Sequence, residues 1–160
     1  MASRGSPRTR RTSDAARRRE QLAAPKPVAR AEKPVVLVVD DDPDARMIFS
    51  TYLRAMGCDV FTANDGRAGV EKAIDLLPDI IVMDLAMPRV DGWEAIRRLC
   101  ESSWTREIPV IAVSAVPVSR ETAFNAGCKA YLTKPCEPHV LWAQIRVLLK
   151  LPQTTPSAFN

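Results

Sequence analysis

Short apolar runs alternate with longer segments of helical periodicity from residue 34 onward. Three of these runs, Val35–Val39, Asp79–Met83 and Ile108–Val113, are almost continuously aliphatic and are bounded by Asp, Pro or Ser. Such runs are typical of strands that are buried on both faces of a parallel sheet. Two weaker runs, Cys58–Thr62 and Lys129–Thr133, bring the number of predicted strands to five.

The segments between these runs carry helix signals. In the first segment, Pro43 suits the first helical turn and Gly57 is a helix stop. Its predicted apolar stripe consists of Ala45, Ile48, Phe49, Tyr52 and Met56. Further helices are predicted over about residues 66–76, 92–101, 119–126 and 137–149, the last with Leu141, Ile145 and Leu148 on one face.

Alternation of five strands with five helices predicts an α/β fold. The connections are expected to be right-handed crossovers that place helices on both faces of a five-stranded parallel sheet. In such an open sheet, ligands bind outside the carboxyl ends of the strands. The residues that directly follow each predicted strand are therefore the candidates for function.

The charge distribution divides the chain. Residues 1–33 contain ten Lys or Arg and three acidic residues, a net of +7, so the remainder carries −3 of the total +4. This first segment has no aromatic residue and only two large aliphatic ones, which is too little to form a core. We predict a disordered basic arm over 1–33, a domain over 34–150 and a short flexible tail over 151–160. The arm is either a solvated tail or a weak, non-specific contact to an anionic partner, and specific DNA reading is not expected.

Composition also limits cellular location and the kind of site. No apolar run approaches the roughly 20 residues of a membrane span, and no export signal is present, so we expect a cytoplasmic protein. The cysteines, Cys58, Cys100, Cys128 and Cys136, form no C-x-x-C pair, and His139 is the only histidine. These spacings argue against a zinc site and a disulfide framework.

The ends of the predicted strands bring polar groups to one edge of the sheet. Asp40, Asp41 and Asp42 follow the first strand, Asp84 the third, Ser114 the fourth and Lys134 the fifth. Carboxylate oxygens suit Mg²⁺, which would also relieve the repulsion between the aspartates. A carboxylate beside the metal can act as a nucleophile toward a phosphoryl group, which a lysine and a hydroxyl would orient.

Four ordered stretches carry a family resemblance: VLVVDDDPDAR, DIIVMDLAMPRVDGWEAIRRL, IPVIAVSA and AGCKAYLTKP. Together they resemble the receiver domain of two-component response regulators, of the single-domain, chemotaxis-regulator-like kind, over about residues 34–150. The resemblance implies a flavodoxin-like fold with strand order 2-1-3-4-5. It also implies a phosphoacceptor domain that catalyses only its own phosphorylation and dephosphorylation.

The resemblance assigns a role to each strand-end residue. Asp84 matches the phosphoacceptor, and Ser114 and Lys134 match the hydroxyl and the lysine that contact the phosphoryl group. The implied Mg²⁺ ligands are Asp40, Asp41, Asp84 and the backbone carbonyl of Ala86, and the implied switch residues are Ser114 and Tyr131. The implied phosphoryl donor is a sensor histidine kinase, a phosphotransfer protein or acetyl phosphate. Signalling would proceed through an unknown downstream protein, a phosphorylation-dependent dimer or a phosphorelay.

Other interpretations compete with these roles. Asp42 with Pro43 is better explained as a helix cap than as a metal ligand. A phosphohydrolase could use Asp42 and Asp44 as a D-x-D pair, and a scaffold with this fold would need no phosphorylation. Tyr131 could equally be a half-buried packing residue.

Two departures from the family pattern lead to further hypotheses. The connection from Ser114 to Lys134 is short and contains Pro117, which puts the fourth helix and the usual dimer face in doubt. Ala86 and Val116 cannot orient a water molecule for hydrolysis, so self-dephosphorylation is predicted to be slow.

Overall fold

The computed structural model describes residues 33–87 and 92–152, and the elements in them alternate between strand and helix. The strands are β1 Val35–Val39, β2 Asp59–Ala63, β3 Ile80–Asp84, β4 Val110–Ser114 and β5 Ala130–Thr133. The helices are α1 Pro43–Ala55, α2 Gly66–Leu76, α3 Gly92–Glu101, α4 Arg120–Asn125 and α5 Pro138–Leu148. All five predicted strands and all five predicted helices are present, with bounds that agree within two residues.

The five strands form one parallel sheet in the order β2-β1-β3-β4-β5. The predicted strand order and the α/β class are therefore confirmed. Because all strands run in the same direction, their carboxyl ends lie along one edge of the sheet.

Each face of the sheet is covered by a hydrophobic cluster. One cluster contains Leu37 and Val39 of β1 with buried residues of α2, α3 and α4. The other contains Val36 and Val38 with buried residues of α1 and α5. The alternation of side chains along β1 thus supplies both faces, which explains why the run is apolar throughout.

Helix α1 begins as predicted, and Ala45, Phe49, Tyr52 and Met56 of its predicted stripe pack in or against the core. Asp42 caps it, and its Oδ1 accepts a hydrogen bond from the Asp44 amide at 3.0 Å. Phe49 and Leu53 are buried, whereas Ile48 is 53% exposed, so the predicted stripe was wrong at Ile48 and omitted Leu53. The segment offers more apolar residues than one helix face can bury, and packing on the sheet decides which of them are covered.

Strand β2 lies at the edge of the sheet, and side chains cap its outer backbone groups. The Asp59 amide and the Ala63 carbonyl bond toward β1, so alternation along the strand turns the carbonyls of Val60 and Thr62 outward. Arg54 of α1 donates to the Val60 carbonyl at 2.8 Å, and Lys72 of α2 donates to the Thr62 carbonyl. Both outward carbonyls are therefore satisfied by cations.

The second half of the domain has a short fourth helix. Helix α4 comprises six residues, so the fourth helix is present although the short connection and Pro117 had put it in doubt. All four cysteines are free thiols; Cys58 and Cys128 are buried beside strands. Burial raises the pKa of each of these two thiols to about 11.

Two predictions about the ends of the chain fall largely outside the described residues. The proposed arm lies there except for Lys33, and the proposed tail except for Leu151 and Pro152. None of the helices in the described residues has the length and apolar character that a bilayer span requires.

Candidate functional site

The register of the sheet brings the predicted site residues to one edge. Asp40 directly follows β1, Asp84 is the last residue of β3 and Ser114 is the last residue of β4. Asp84 pairs with Val113 of β4, and Ser114 pairs with Thr133, the residue before Lys134. The strand ends therefore supply two carboxylates, a hydroxyl and an ammonium group from four neighbouring strands.

Lys134 lies between the two buried carboxylates. Its Nζ donates to Asp40 Oδ2 at 2.7 Å and to Asp84 Oδ2 at 3.0 Å. The side chains of Asp40 and Asp84 are only 4% and 6% exposed, against 22% for that of Lys134. A single cation thus compensates two negative charges that have little access to water.

Backbone amides hold the remaining carboxylate oxygens in place. Asp40 Oδ1 accepts a hydrogen bond from the Asp42 amide at 2.9 Å, and Asp84 Oδ1 accepts one from the Ala86 amide at 2.9 Å. Each carboxylate therefore has one oxygen on a backbone amide and one on Lys134. This arrangement fixes the orientation of both groups before any ligand arrives.

The balance of burial and charge differs between the partners. Burial raises the pKa of Asp40, and the hydrogen bonds from Lys134 and the Asp42 amide offset this only in part. Burial alone would lower the pKa of Lys134, but the hydrogen bonds and charges of Asp40 and Asp84 outweigh it, so the pKa is raised. Lys134 therefore keeps its positive charge at neutral pH, whereas ionisation of Asp40 is opposed by its surroundings.

The carboxylates also meet the requirements of a hard cation. One oxygen from each of Asp40, Asp41 and Asp84 lies within 4.8 Å of the others. Asp41 is exposed, whereas the other two are buried, so the group opens to solvent on one side. A set of oxygen ligands that leaves room for water suits Mg²⁺, which retains several of its own water molecules.

The backbone near Asp84 depends on a glycine. A Cβ at Gly92, the first residue of α3, would lie 2.1 Å from the Asp84 carbonyl oxygen and 2.8 Å from Leu85 Cα. Only a residue without a side chain permits this approach between α3 and the end of β3. The sequence indicates a backbone role for Gly92, but not its contact with the predicted phosphoacceptor.

Ser114 and Tyr131 are linked through the loop after β4. Ser114 is buried, and its hydroxyl oxygen accepts a hydrogen bond from the Val116 amide at 3.1 Å. The Tyr131 hydroxyl donates to the Val116 carbonyl at 3.1 Å and accepts from the Val118 amide at 3.2 Å. Tyr131 itself is 8% exposed and packs in the core, so the loop that follows Ser114 is tied to β5.

The other candidates occupy structural positions. Asp42 is the cap of α1, as predicted, and Asp44 is an exposed residue of its first turn. Both carboxylates are exposed, and within the described residues neither forms an ion pair with a cation that could receive a phosphoryl group, as Lys134 does at Asp84, so they are not arranged as a D-x-D nucleophile pair. His139 is exposed in the first turn of α5.

One contact of the site was not expected from the sequence. Arg46 of α1 donates to the Asp40 backbone carbonyl at 2.6 Å. Its only sequence signal was its position one turn into a helix that follows the aspartates. Whether a side chain at that position reaches back to the strand depends on how the helix packs.

Comparison with known families supports this arrangement. A sequence model of the response regulator receiver domain matches residues 36–146. The matched range overlaps every element from β1 to α5, and it contains all the predicted site residues.

Individual relatives agree with the family match. The chain is 36% identical over 127 residues to the DNA-binding dual master transcriptional regulator RpaA of Synechocystis, a match that covers 78% of this chain and 53% of RpaA. It is 35% identical over 127 residues to protein PilG of Pseudomonas aeruginosa, covering 76% of this chain and 90% of PilG. The chain spans about half the length of RpaA and of several other curated regulators that it matches.

A solved structure is also similar to this one. The receiver domain of sensor histidine kinase PA1611 from Pseudomonas aeruginosa aligns with a TM-score of 0.68 and 27% identity, covering 74% of this chain and 99% of that domain. That domain was crystallised with a magnesium ion coordinated in its active-site cleft.

Proposed function

Because this chain belongs to the response regulator receiver family, whose domains are phosphoacceptors in signalling, we propose that it accepts a phosphoryl group on Asp84. The observation that carries this proposal is the position of Lys134, whose Nζ lies within hydrogen-bond distance of both Asp40 and Asp84. A buried carboxylate at the end of a strand gains a nucleophilic role when a cation beside it can receive the phosphoryl oxygens.

The acidic group fits a magnesium ion. Asp40, Asp41 and Asp84 would hold it, together with the backbone carbonyl of Ala86. When bound, Mg²⁺ supplies positive charge that neutralises phosphoryl oxygens and favours transfer. Support comes from the hard oxygen ligands on the described residues and from the magnesium in the related PA1611 domain.

The chain's own residues account for the transfer step. A carboxylate oxygen of Asp84 attacks phosphorus, an O–P bond forms, and the bond from phosphorus to the donor breaks with its electron pair leaving on the donor. Lys134 neutralises the charge on the phosphoryl oxygens. The Ser114 side chain rotates so that its hydroxyl donates a hydrogen bond to one of these oxygens. This rotation breaks the hydrogen bond that Ser114 Oγ accepts from the Val116 amide.

This exchange at Ser114 is the proposed start of the signal. Val116 is shared by Ser114, through its amide, and by Tyr131, through its carbonyl. A movement of the Ser114 side chain therefore pulls on the segment that holds the Tyr131 hydroxyl. We assign Ser114 and Tyr131 as the switch pair on this basis.

The proposed partners are those that membership of the receiver family implies. The donor is a sensor histidine kinase or a phosphotransfer protein, with acetyl phosphate as a small-molecule substitute. The phosphorylated receiver domain, placed at residues 34–150, then acts on a downstream protein, dimerises or passes the phosphoryl group on. RpaA extends well beyond the matched stretch, so its DNA binding is not transferred to this chain.

Intact-mass measurement after incubation with acetyl phosphate tests the proposal. We expect one phosphoryl adduct that depends on Mg²⁺, maps to Asp84 and is missing in Asp84→Ala. Asp75→Ala, which removes an exposed carboxylate from α2, is the matched control and should be labelled like the wild type. A folded wild-type protein that takes no phosphoryl group from acetyl phosphate or from a panel of histidine kinases would contradict the assignment.

A further inference from the structure

A polar cleft lies beside the acidic site, at the carboxyl end of the neighbouring strand. It has a volume of about 250 Å³ and is lined by Arg46, Thr62, Ala63, Asn64, Ala68 and Lys72. The cleft is close to the acidic site because β2 pairs with β1, and the Asp40 amide donates to the Ala63 carbonyl at 3.1 Å. We call it the basic cleft, since none of its six lining residues is acidic and two are cationic.

The two cations of the basic cleft are held in position without being neutralised. Arg46 donates to the Asp40 backbone carbonyl, and Lys72 donates to the Thr62 backbone carbonyl. Within residues 33–87 and 92–152, neither side chain forms an ion pair, although seven such pairs occur elsewhere. Each cation has further N–H donors beyond the one that its carbonyl accepts.

The neutral residues of the cleft add polarity and little bulk. Thr62 and Asn64 can donate hydrogen bonds from their side chains, and Ala63 and Ala68 leave space. The Ala68 amide is already bonded to Asp65 Oδ1 at 2.7 Å, which caps α2. Recognition of a ligand therefore falls to side chains, with Arg46 on one helix and Lys72 on the other.

Size and charge together define the class of ligand. The cleft is smaller than the roughly 300–1,000 Å³ of pockets that enclose drug-sized molecules. It suits one tetrahedral or planar oxyanion and not a nucleotide. A guanidinium fork with an ammonium group matches the oxygens of phosphate or carboxylate.

We propose that the basic cleft, between Arg46 and Lys72, binds an oxyanion, with a phosphate group as the preferred ligand. The site is separate from the phosphoacceptor: its cations come from α1 and α2, whereas the acidic site uses the ends of β1, β3, β4 and β5. Its ligand is either a free anion or the phosphate ester of a larger molecule, which present the same group to the two cations.

Amide chemical shifts measured during phosphate titration test the proposal. The experiment uses the full chain without Mg²⁺, at an ionic strength kept constant with sodium chloride. We expect saturable shifts centred on Asn64 and Ala68, with a dissociation constant in the millimolar range that surface ion pairs support. Lys72→Gln should weaken phosphate binding by about fivefold or more, because it removes one of the two charges.

The chain offers a closely matched control. Arg54 caps the Val60 carbonyl on the same outer edge of β2, as Lys72 caps the Thr62 carbonyl, but it does not line the cleft. Arg54→Gln therefore loses the same charge and the same kind of contact, and should change phosphate affinity by less than about twofold. O-phosphoserine and inorganic phosphate distinguish the sources: tighter binding of the ester assigns the cleft to a phosphorylated partner, and equal binding assigns it to a free anion.

Two results would overturn the proposal. One is a set of chemical-shift changes that do not saturate up to about 50 mM phosphate. Such changes indicate that phosphate accumulates non-specifically around the positive charges and does not occupy a site. The other is an equal loss of affinity in Lys72→Gln and Arg54→Gln. Phosphorylation of Asp84 is measured on the same preparations and should survive Lys72→Gln, so failure of either proposal is seen independently of the other.

Discussion

Two neighbouring regions at one edge of the sheet carry opposite charge, and they differ in how far that charge is buried and paired. In the acidic site, Asp40 and Asp84 are buried and share Lys134. In the basic cleft, Lys72 is exposed and Arg46 is half-buried, and each donates to a backbone carbonyl. The two regions lie side by side, because the Asp40 amide at the end of β1 donates to the Ala63 carbonyl at the end of β2.

The difference shows what burial demands of a charge. Buried carboxylates require a partner because unpaired ions in the interior cost several kcal/mol, and a partner that serves two carboxylates leaves each under-compensated. Exposed cations remain solvated, so they can stay unpaired at little cost. In the acidic site, the charge of the two buried carboxylates is therefore only partly compensated. In the basic cleft, the cations still have N–H donors that a ligand could use.

The largest expected effect comes from breaking the backbone that supports the acidic site. Gly92→Ala places a Cβ 2.1 Å from the Asp84 carbonyl oxygen, so α3 or the end of β3 must move. We expect a loss of about 3 kcal/mol in the free energy of unfolding and strongly reduced phosphorylation. Denaturant unfolding and acetyl phosphate labelling measure these effects.

Gly57→Ala is the control for this substitution. Gly57 has φ of +90°, and a Cβ there would have no neighbour within 4 Å, so its cost is conformational only. About 1 kcal/mol is expected, with labelling unchanged. If the two variants lose the same free energy of unfolding and the same extent of phosphorylation, the close approach of Gly92 to Asp84 does not determine either property.

A comparison of two lysines tests the contrast between the regions directly. Lys134→Met leaves two buried carboxylates without their cation, and because Lys134 is partly exposed we expect a loss of about 2 kcal/mol. Lys72→Met removes a cation from the basic cleft and should cost less than about 0.5 kcal/mol. Unfolding is measured in EDTA, and equal destabilisation by the two changes would show that burial does not distinguish the two regions.

We expect the lifetime of a phosphoryl group on Asp84 to depend on whether a neighbouring side chain can orient a water molecule. Ala86 and Val116 are both exposed, and neither side chain can orient a water molecule. We expect slow loss of the phosphoryl group in the wild type and a loss about tenfold faster in Ala86→Asn. Ala86→Val is the control, since it adds bulk without a hydrogen-bonding group. A wild-type lifetime of seconds that Ala86→Asn leaves unchanged or lengthens would refute this idea.

The smallest expected effect concerns the charge of Asp40 within the acidic site. Burial raises the pKa of Asp40 in the folded protein, so folding favours the protonated carboxyl group. As the pH rises through the folded pKa, the group ionises and the folded state loses stability. In EDTA at pH 7, Asp40→Asn should therefore raise the free energy of unfolding by about 1 kcal/mol. The gain should shrink as the pH falls toward the ordinary pKa of 3.8. Thermal unfolding from pH 4 to 7 measures it, and a gain independent of pH would contradict the electrostatic cause.

Much of the fold could be predicted from the sequence because strands and loops differ sharply in composition. The predicted β1 and the observed strand coincide at Val35–Val39, since Asp40 marks its end without ambiguity. The predicted end of β3 is one residue early, because an aspartate resembles a strand terminator although Asp84 still pairs within the sheet. Strand order followed from the family resemblance, because hydrophobic periodicity carries no information on which strands are neighbours.

The parts that could not be predicted depend on how elements approach one another. Ile48 and Leu53 are both aliphatic, and only packing against the sheet exposes the first and buries the second. Arg46 and Lys72 are 26 positions apart and line the same cleft because β2 lies beside β1. The proposed roles of Asp84, Ser114 and Lys134 come from motif order, whereas the hydrogen bond from Lys134 to Asp84 is visible only in the structure.

The capped outer edge of β2 has a consequence for association. An open strand edge invites another chain to extend the sheet, which is a common route to aggregation and fibre growth. Here Arg54 and Lys72 occupy the outward carbonyls of Val60 and Thr62, and their charges would repel an identical edge. We therefore expect self-association by strand addition to be disfavoured on this side.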